Sequence, residues 1–144
     1  MKLATAYDRG GKLYCHGYSQ TTAGVWILSE PVLTPIDEPE AVGQAIRECL
    51  AASRGGVPHP PQSELDVLDK PLLTLAHAGS FDEFAEGAKC VQIRMDGELL
   101  TLIPLRNSGP REGFVALEEK TQTITPESDE ELGSAILAAL AMAE

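Results

Sequence analysis

The sequence predicts an α+β fold, a mostly antiparallel sheet with helices packed against it, in a single domain spanning residues 1–144. Three observations carry this expectation. Val91, Ile93 and Met95 alternate with Gln92 and Arg94, as in a half-buried strand. Gly10-Gly11 and Asp96-Gly97 are two-residue turn signals of antiparallel hairpins. Ser or Asp stands three residues ahead of Glu before apolar runs of helical period, as in capped helices.

Lys2 to Tyr7 reads as a first strand, turned by Asp8-Arg9-Gly10-Gly11 into a second, Lys12 to Tyr18, and Trp26-Ile27-Leu28 as a further extended segment. Asp37 as N-cap with Glu40, and Val42, Ile46, Cys49 and Leu50 at helical spacing, predict a helix over Glu38 to Ala52. Glycines and prolines within Ser53 to Pro61 end it in an exposed loop. Leu72, Leu73 and Leu75 predict a short helical turn over Pro71 to Ala76. Ser80 with Glu83 caps another short helix, with Phe81, Phe84, Ala85 and Ala88 on one face. After the Cys90 to Met95 strand, the return strand Glu98 to Leu105 is apolar on both faces and is expected at the centre of the sheet. Asn107-Ser108-Gly109-Pro110 turns into a strand from Gly113 to Leu117, continuing through Glu118 to Thr125. Ser128 with Glu131 caps a C-terminal Ala-rich helix bearing Leu132, Ile136 and Leu140. The first and last helices share the pattern E-x-[VL]-G-x-A-I-x-x-x-L-A, from Glu40 and from Glu130, which predicts similar close packing for both.

The charge narrows the function. With 22 acidic and 11 basic residues the net charge is −11, and from Phe81 onward 13 acidic residues face 5 basic ones. Such a surface repels phosphate backbones, which excludes nucleic acid as the expected partner and favours a cationic one. No apolar run is long enough for a membrane helix and the N-terminus lacks an apolar signal region, so a cytoplasmic protein without membrane contact is expected. Cys15, Cys49 and Cys90 are odd in number and widely spaced, which suits a reducing compartment; no metal and no cofactor is expected, since ligand spacing, G-x-G-x-x-G and P-loop motifs are all missing.

Cys15-His16 has the residue types of an activated nucleophile, but neighbours on a strand point to opposite faces. His59 lies among prolines and His77 follows a short apolar helix, neither beside a thiol or carboxylate in sequence. Acidic residues at Glu38, Glu40, Asp82, Glu83 and Asp129 to Glu131 fall in first helical turns, where they complement the macrodipole. Glu118-Glu119 has no such local role, yet two adjacent acids on a strand do not form an acid/base pair. No enzyme is expected.

The run Lys70-Pro-Leu-Leu-Thr-Leu-Ala-His-Ala-Gly-Ser-Phe-Asp-Glu-Phe-Ala-Glu-Gly-Ala-Lys89, followed by Val91-Gln-Ile-Arg and a hairpin of apolar strands, resembles the immunity proteins of bacterial contact-dependent growth inhibition (CDI) systems. The early Gly11-Lys-Leu-Tyr14 segment is similar to the beginning of those proteins. The resemblance implies a cytosolic inhibitor that binds the C-terminal toxin domain of a CDI effector, commonly a nuclease, and blocks its active site. It also suggests, with the hairpins at Asp96-Gly97 and Ser108-Gly109, that the toxin adds a strand or hairpin to a sheet edge. The candidate contact residues are Asp96, Glu98, Glu118 and Glu119 for charge, with Tyr14, Tyr18 and Trp26 as aromatic anchors. The competing function is a small acidic adaptor or chaperone-like module without a toxin partner.

Overall fold

The computed structural model describes every residue from Met1 to Glu144 and is organised around a seven-stranded sheet. Its strands are β1 (Lys2–Arg9), β2 (Lys12–Gln20), β3 (Trp26–Leu33), β4 (Lys89–Asp96), β5 (Leu99–Asn107), β6 (Phe114–Ala116) and β7 (Gln122–Ile124). The order is β3-β2-β1-β4-β5-β6, with β7 also paired to β5, and every ladder is antiparallel. The first hairpin closes through Gly10 and Gly11 at φ 62° and 86°, positive at both loop positions as a type I′ turn requires. The helices are α1 (Pro39–Ala52), α2 (Gln62–Leu65), α3 (Lys70–Ala76), α4 (Phe81–Ala85), α5 (Gly109–Glu112) and α6 (Asp129–Met142). The fold is α+β, as the sequence predicts.

Alternation along the strands sorts side chains onto two faces. On one, Ala4, Ala6, Cys15, Val91, Ile93 and Leu102 meet Ile46 and Leu50 of α1 and Leu132 and Ile136 of α6 in a cluster of 17 buried residues. The shared sequence pattern explains how the two helices fit together. A Cβ at Gly43 would collide with the Asp129 carbonyl oxygen, and a Cβ at Gly133 with that of Pro39. The fifth residue of each helix therefore rests on the first residue of the other, and the glycine of the pattern marks where two backbones touch. Arg47 Nε donates to Asp129 Oδ1 at 2.6 Å beside this contact. Ser128 Oγ accepts from Glu131 N at 3.1 Å, so the predicted N-cap of the C-terminal helix is present.

The opposite face carries a smaller, aromatic cluster of 8 buried residues centred on Tyr7, Tyr14 and Phe84. Phe84 is wholly buried, with ring centroids 5.1 Å from Tyr7 and 5.4 Å from Tyr14, both edge-to-face. Ser80 caps α4 by accepting from Glu83 N at 3.1 Å, as predicted. Helices of 7 and 5 residues, α3 and α4, cover only part of this face. Along β5, Leu105 and Ile103 are 9% and 7% exposed, Thr101 is half-buried, and Leu99 at the β4–β5 hairpin is 48% exposed.

Several expectations are corrected. The N-cap of α1 is Glu38 with no side-chain bond, because Pro39 occupies the first helical turn and its fixed φ starts the helix without the Asp37–Glu40 box. The segment after α1 is exposed at Arg54, Gly55 and Gly56, but Ser53 is buried: its hydroxyl accepts from Leu3 N and donates to the Tyr18 carbonyl, tying β1, β2 and α1 together. The predicted long strand from Gly113 to Thr125 is broken into β6, a 3₁₀ turn at Glu118–Lys120, and β7. Leu117 is buried there and donates its N–H to the Pro104 carbonyl at 2.9 Å, which lets two short strands follow one edge of β5 in succession. Asn107 to Pro110 leads into the single turn α5 rather than directly into a strand. The β4–β5 turn residues are Gly97, at φ 62°, and Glu98, with Asp96 the last residue of β4. β1 and β4 hold the middle of the sheet; β5 lies one place out, flanked by β4 on one side and by β6 and β7 on the other. Leu99 is uncovered because no helix reaches the hairpin end of its face.

Candidate partner-binding surface

The cysteines and histidines are engaged in the fold. Cys15 points into the α1/α6 face and His16 into the other. Cys15 Sγ lies 3.8 Å from Cys49 Sγ, and that hydrogen bond together with burial pushes its thiol far above the ordinary range. Burial pushes the Cys90 thiol up to about 12. His16 is 1% exposed, its ring packed against Tyr7 and Tyr18 at 5.8 and 5.0 Å, and Nδ1 donates to the Gly17 carbonyl at 2.9 Å. Burial lowers its pKa from 6.5 to about 4, so the ring is neutral. His59 Nδ1 bonds the Thr21 hydroxyl at 3.0 Å, and His77, in the left-handed region at φ 54°, ends α3. No three His, Cys, Asp or Glu side chains converge as metal ligands would.

The structure divides the predicted contact residues among three places. The β2–β3 register puts Tyr18 opposite Leu28 and Trp26 opposite Gln20, on the same face as Asp96. Tyr18 and Trp26 are half-buried and Asp96 is exposed. Three strand spacings, about 14 Å, separate β3 from β4. Glu98 stands beside Asp96 in the exposed turn. Tyr14 shares this face but lies at its covered end, 3% exposed beneath Phe84, and acts as a core residue. Glu118 and Glu119 sit on the 3₁₀ turn outside β5, not on a strand, so the alternation argument does not apply to them; both are exposed.

One residue escaped the sequence reading. Register aligns Tyr18, Leu3, Arg94 and Thr101 in a row across β2, β1, β4 and β5. Arg94 Nε is buried without a hydrogen-bond partner, and its guanidinium joins none of the three ion pairs, which use Arg47, Arg106 and Lys120. In sequence Arg94 is one polar position of an alternating strand; only the register shows it in one row with a tyrosine, across Leu3, at the open end of a sheet face. Partly exposed aromatic residues sharing a sheet face with an unpaired arginine have the composition of anchors in protein interfaces. β3 forms one edge of the sheet, with Pro31 within it removing one donor from the ladder.

No helix is long and apolar enough to cross a membrane. No curated protein matches the sequence. Among solved structures, a protein of unknown function from Neisseria meningitidis is 18% identical, with a TM-score of 0.77 over 99% of this chain and 95% of that one. A chain of the CdiA-CT/CdiI toxin and immunity complex from Yersinia pseudotuberculosis is 16% identical, with a TM-score of 0.73 over 99% of this chain and 97% of that one. These likenesses establish the fold. The CDI immunity protein family (CdiI) matches residues 28–143, from β3 through both glycine-packed helices, the aromatic cluster's short helices and the β4–β7 ladders. This chain belongs to the CDI immunity protein family.

Proposed function

We propose that this chain neutralises the C-terminal toxin domain of a CDI effector by binding it and covering its active site, in the cytosol, and that the toxin is a basic nuclease. Family membership is the observation that carries the reading. The charge supports the nature of the partner: a nuclease must grip phosphates with Lys and Arg, and a chain of net charge −11 imitates the field such an enzyme is built to meet. The partner is a protein; nucleic acid, repelled by the same field, is not bound. Tyr18, Trp26 and Asp96 with Glu98 belong to the contact surface, and Glu118 and Glu119 steer the toxin from the outer edge of β5.

An inhibitor of this kind needs rapid capture, and electrostatic steering raises association to about 10⁸ M⁻¹s⁻¹ or more at low salt. The test is co-expression and co-purification with the toxin domain encoded beside it, followed by stopped-flow association over a salt series. The expected result is survival of toxin-producing cells, a stable complex, and association that slows steeply as salt rises. Charge reversal at Glu118 and Glu119 together should flatten that slope. No complex and no protection would overturn the reading, and association rates indifferent to salt would overturn the steering.

A further inference from the structure

A groove of about 800 Å³ lies beside α4, on the same side of the sheet as the aromatic cluster and at the far end of β5 from the hairpin. Its apolar lining includes Phe81, Phe114 and Pro110; its acidic residues are Asp82, Glu83 and Glu86 along α4 and Glu144 at the opposite wall, the last paired with Arg106 and Lys120, and Lys89 is the one cation of the lining. The two phenylalanine rings are half-buried, each packed from below on Tyr7, with centroids 6.5 and 5.9 Å away. Their lower surfaces are fixed by the core. The walls are fixed too: Asn107 Nδ2 donates to the carbonyls of Ala85 and Ala88 at 2.7 and 3.0 Å, tying the end of α4 to β5. The groove therefore exists before any partner arrives.

The carboxylates on its α4 side lack cationic partners. Asp82, Glu83 and Glu86 take part in no ion pair; among the groove's acids only Glu144 does. Glu83 accepts from Gly79 N at 2.7 Å, whereas Asp82 and Glu86 are exposed without a bonded partner. An aromatic floor beneath free carboxylates complements a side chain that is apolar along its stem and cationic at its tip. Arginine fits best, because its planar guanidinium stacks on a ring and pairs with carboxylates.

We propose that this groove receives an arginine-bearing segment of the toxin domain, making it an anchoring pocket of the toxin interface. The inference rests on the reading of the partner as a basic toxin. Leu99 at the hairpin and Asn107 at the groove are about 27 Å apart along β5, a span that one interface of ordinary size bridges.

The test is calorimetric titration of the toxin domain, catalytically inactivated, into the wild-type chain and into Asp82→Lys/Glu86→Lys, with Phe114→Ala as a second variant. Circular dichroism melting of each variant serves as the check on folding. The charge-reversed sites are exposed and hold no hydrogen bond, so that variant should stay folded and melt within a few degrees of the wild type, the small loss being that of Asp82 at the start of α4, while its toxin affinity falls at least about thirtyfold. Phe114→Ala should weaken binding by about tenfold. Wild type that binds and protects while the double variant binds within about twofold of it overturns the groove alone. Wild type that neither binds nor protects overturns the toxin reading and the groove with it. A variant that loses self-association in sedimentation but keeps full toxin affinity assigns the groove to a second copy and also overturns the inference.

Discussion

The two faces of the sheet are covered in different ways. One lies under α1 and α6, each 14 residues long, which span the strands and bury a cluster of 17 mostly aliphatic residues. The other lies under α3 and α4, of 7 and 5 residues, and buries 8 residues around stacked aromatic rings. Long helices joined at glycines close most of a face, whereas short helices too small to persist alone close only the part that aromatic side chains can reach. The remainder of the second face, with Tyr18, Arg94 and Leu99, and the groove beside α4 are where the fold leaves this side uncovered.

The helix-covered face offers the sharpest way to break this contrast. Gly133→Val or Gly43→Val would drive a side chain into rigid backbone of the opposing helix, not into a side chain able to swing aside. We expect a loss beyond about 5 kcal/mol, enough to abolish the folded state, measured by chemical denaturation. Near-wild-type stability in both variants would show that the two helices do not rely on this contact. On the aromatic face, Phe84→Ala removes a wholly buried ring that holds Tyr7, Tyr14 and the Arg9 guanidinium, 5.5 Å from its centroid. A cost of about 4 kcal/mol is expected, with the largest changes in amide exchange confined to α3 and α4. Exchange spreading equally into α1 and α6 would mean that the faces are one cooperative unit.

The smallest of these effects is a pH dependence belonging to the aromatic face alone. His16 is neutral in the folded protein, its pKa lowered from 6.5 to about 4 by burial. The unfolded chain therefore binds a proton first, and stability present above pH 6.5 falls as pH drops toward 4, by on the order of 3 kcal/mol. A His16→Phe variant should lack this component in denaturation curves across that window. An unchanged acid slope would assign it to other groups.

Much of the architecture was legible because its causes are local. The hairpin glycines, the Ser80 and Ser128 caps and the alternation at Val91, Ile93 and Met95 act within a few residues, and each led to the right element. The Asp37 cap failed because the neighbouring Pro39 offered a competing local start. The strand through Glu118 failed because the break at Leu117 answers to β5, more than ten residues away in sequence. For the contact surface, sequence identified exposed acids at Asp96, Glu98, Glu118 and Glu119, but neither the burial of Tyr14 nor the isolation of Arg94.

Composition by itself determined the negative field, and local spacing determined the fold class, since charge adds up regardless of arrangement and backbone geometry obeys short-range rules. The repeated glycine pattern announced two helices of similar packing. That each glycine would meet the first residue of the other helix, that one sheet face would be mostly covered and the other left half open, and that Phe81 and Phe114 would floor a groove beneath free carboxylates was decided by the tertiary structure. Those features depend on strand register and on contacts between segments far apart in the chain, and a pattern read along one dimension carries no record of which distant residues will become neighbours.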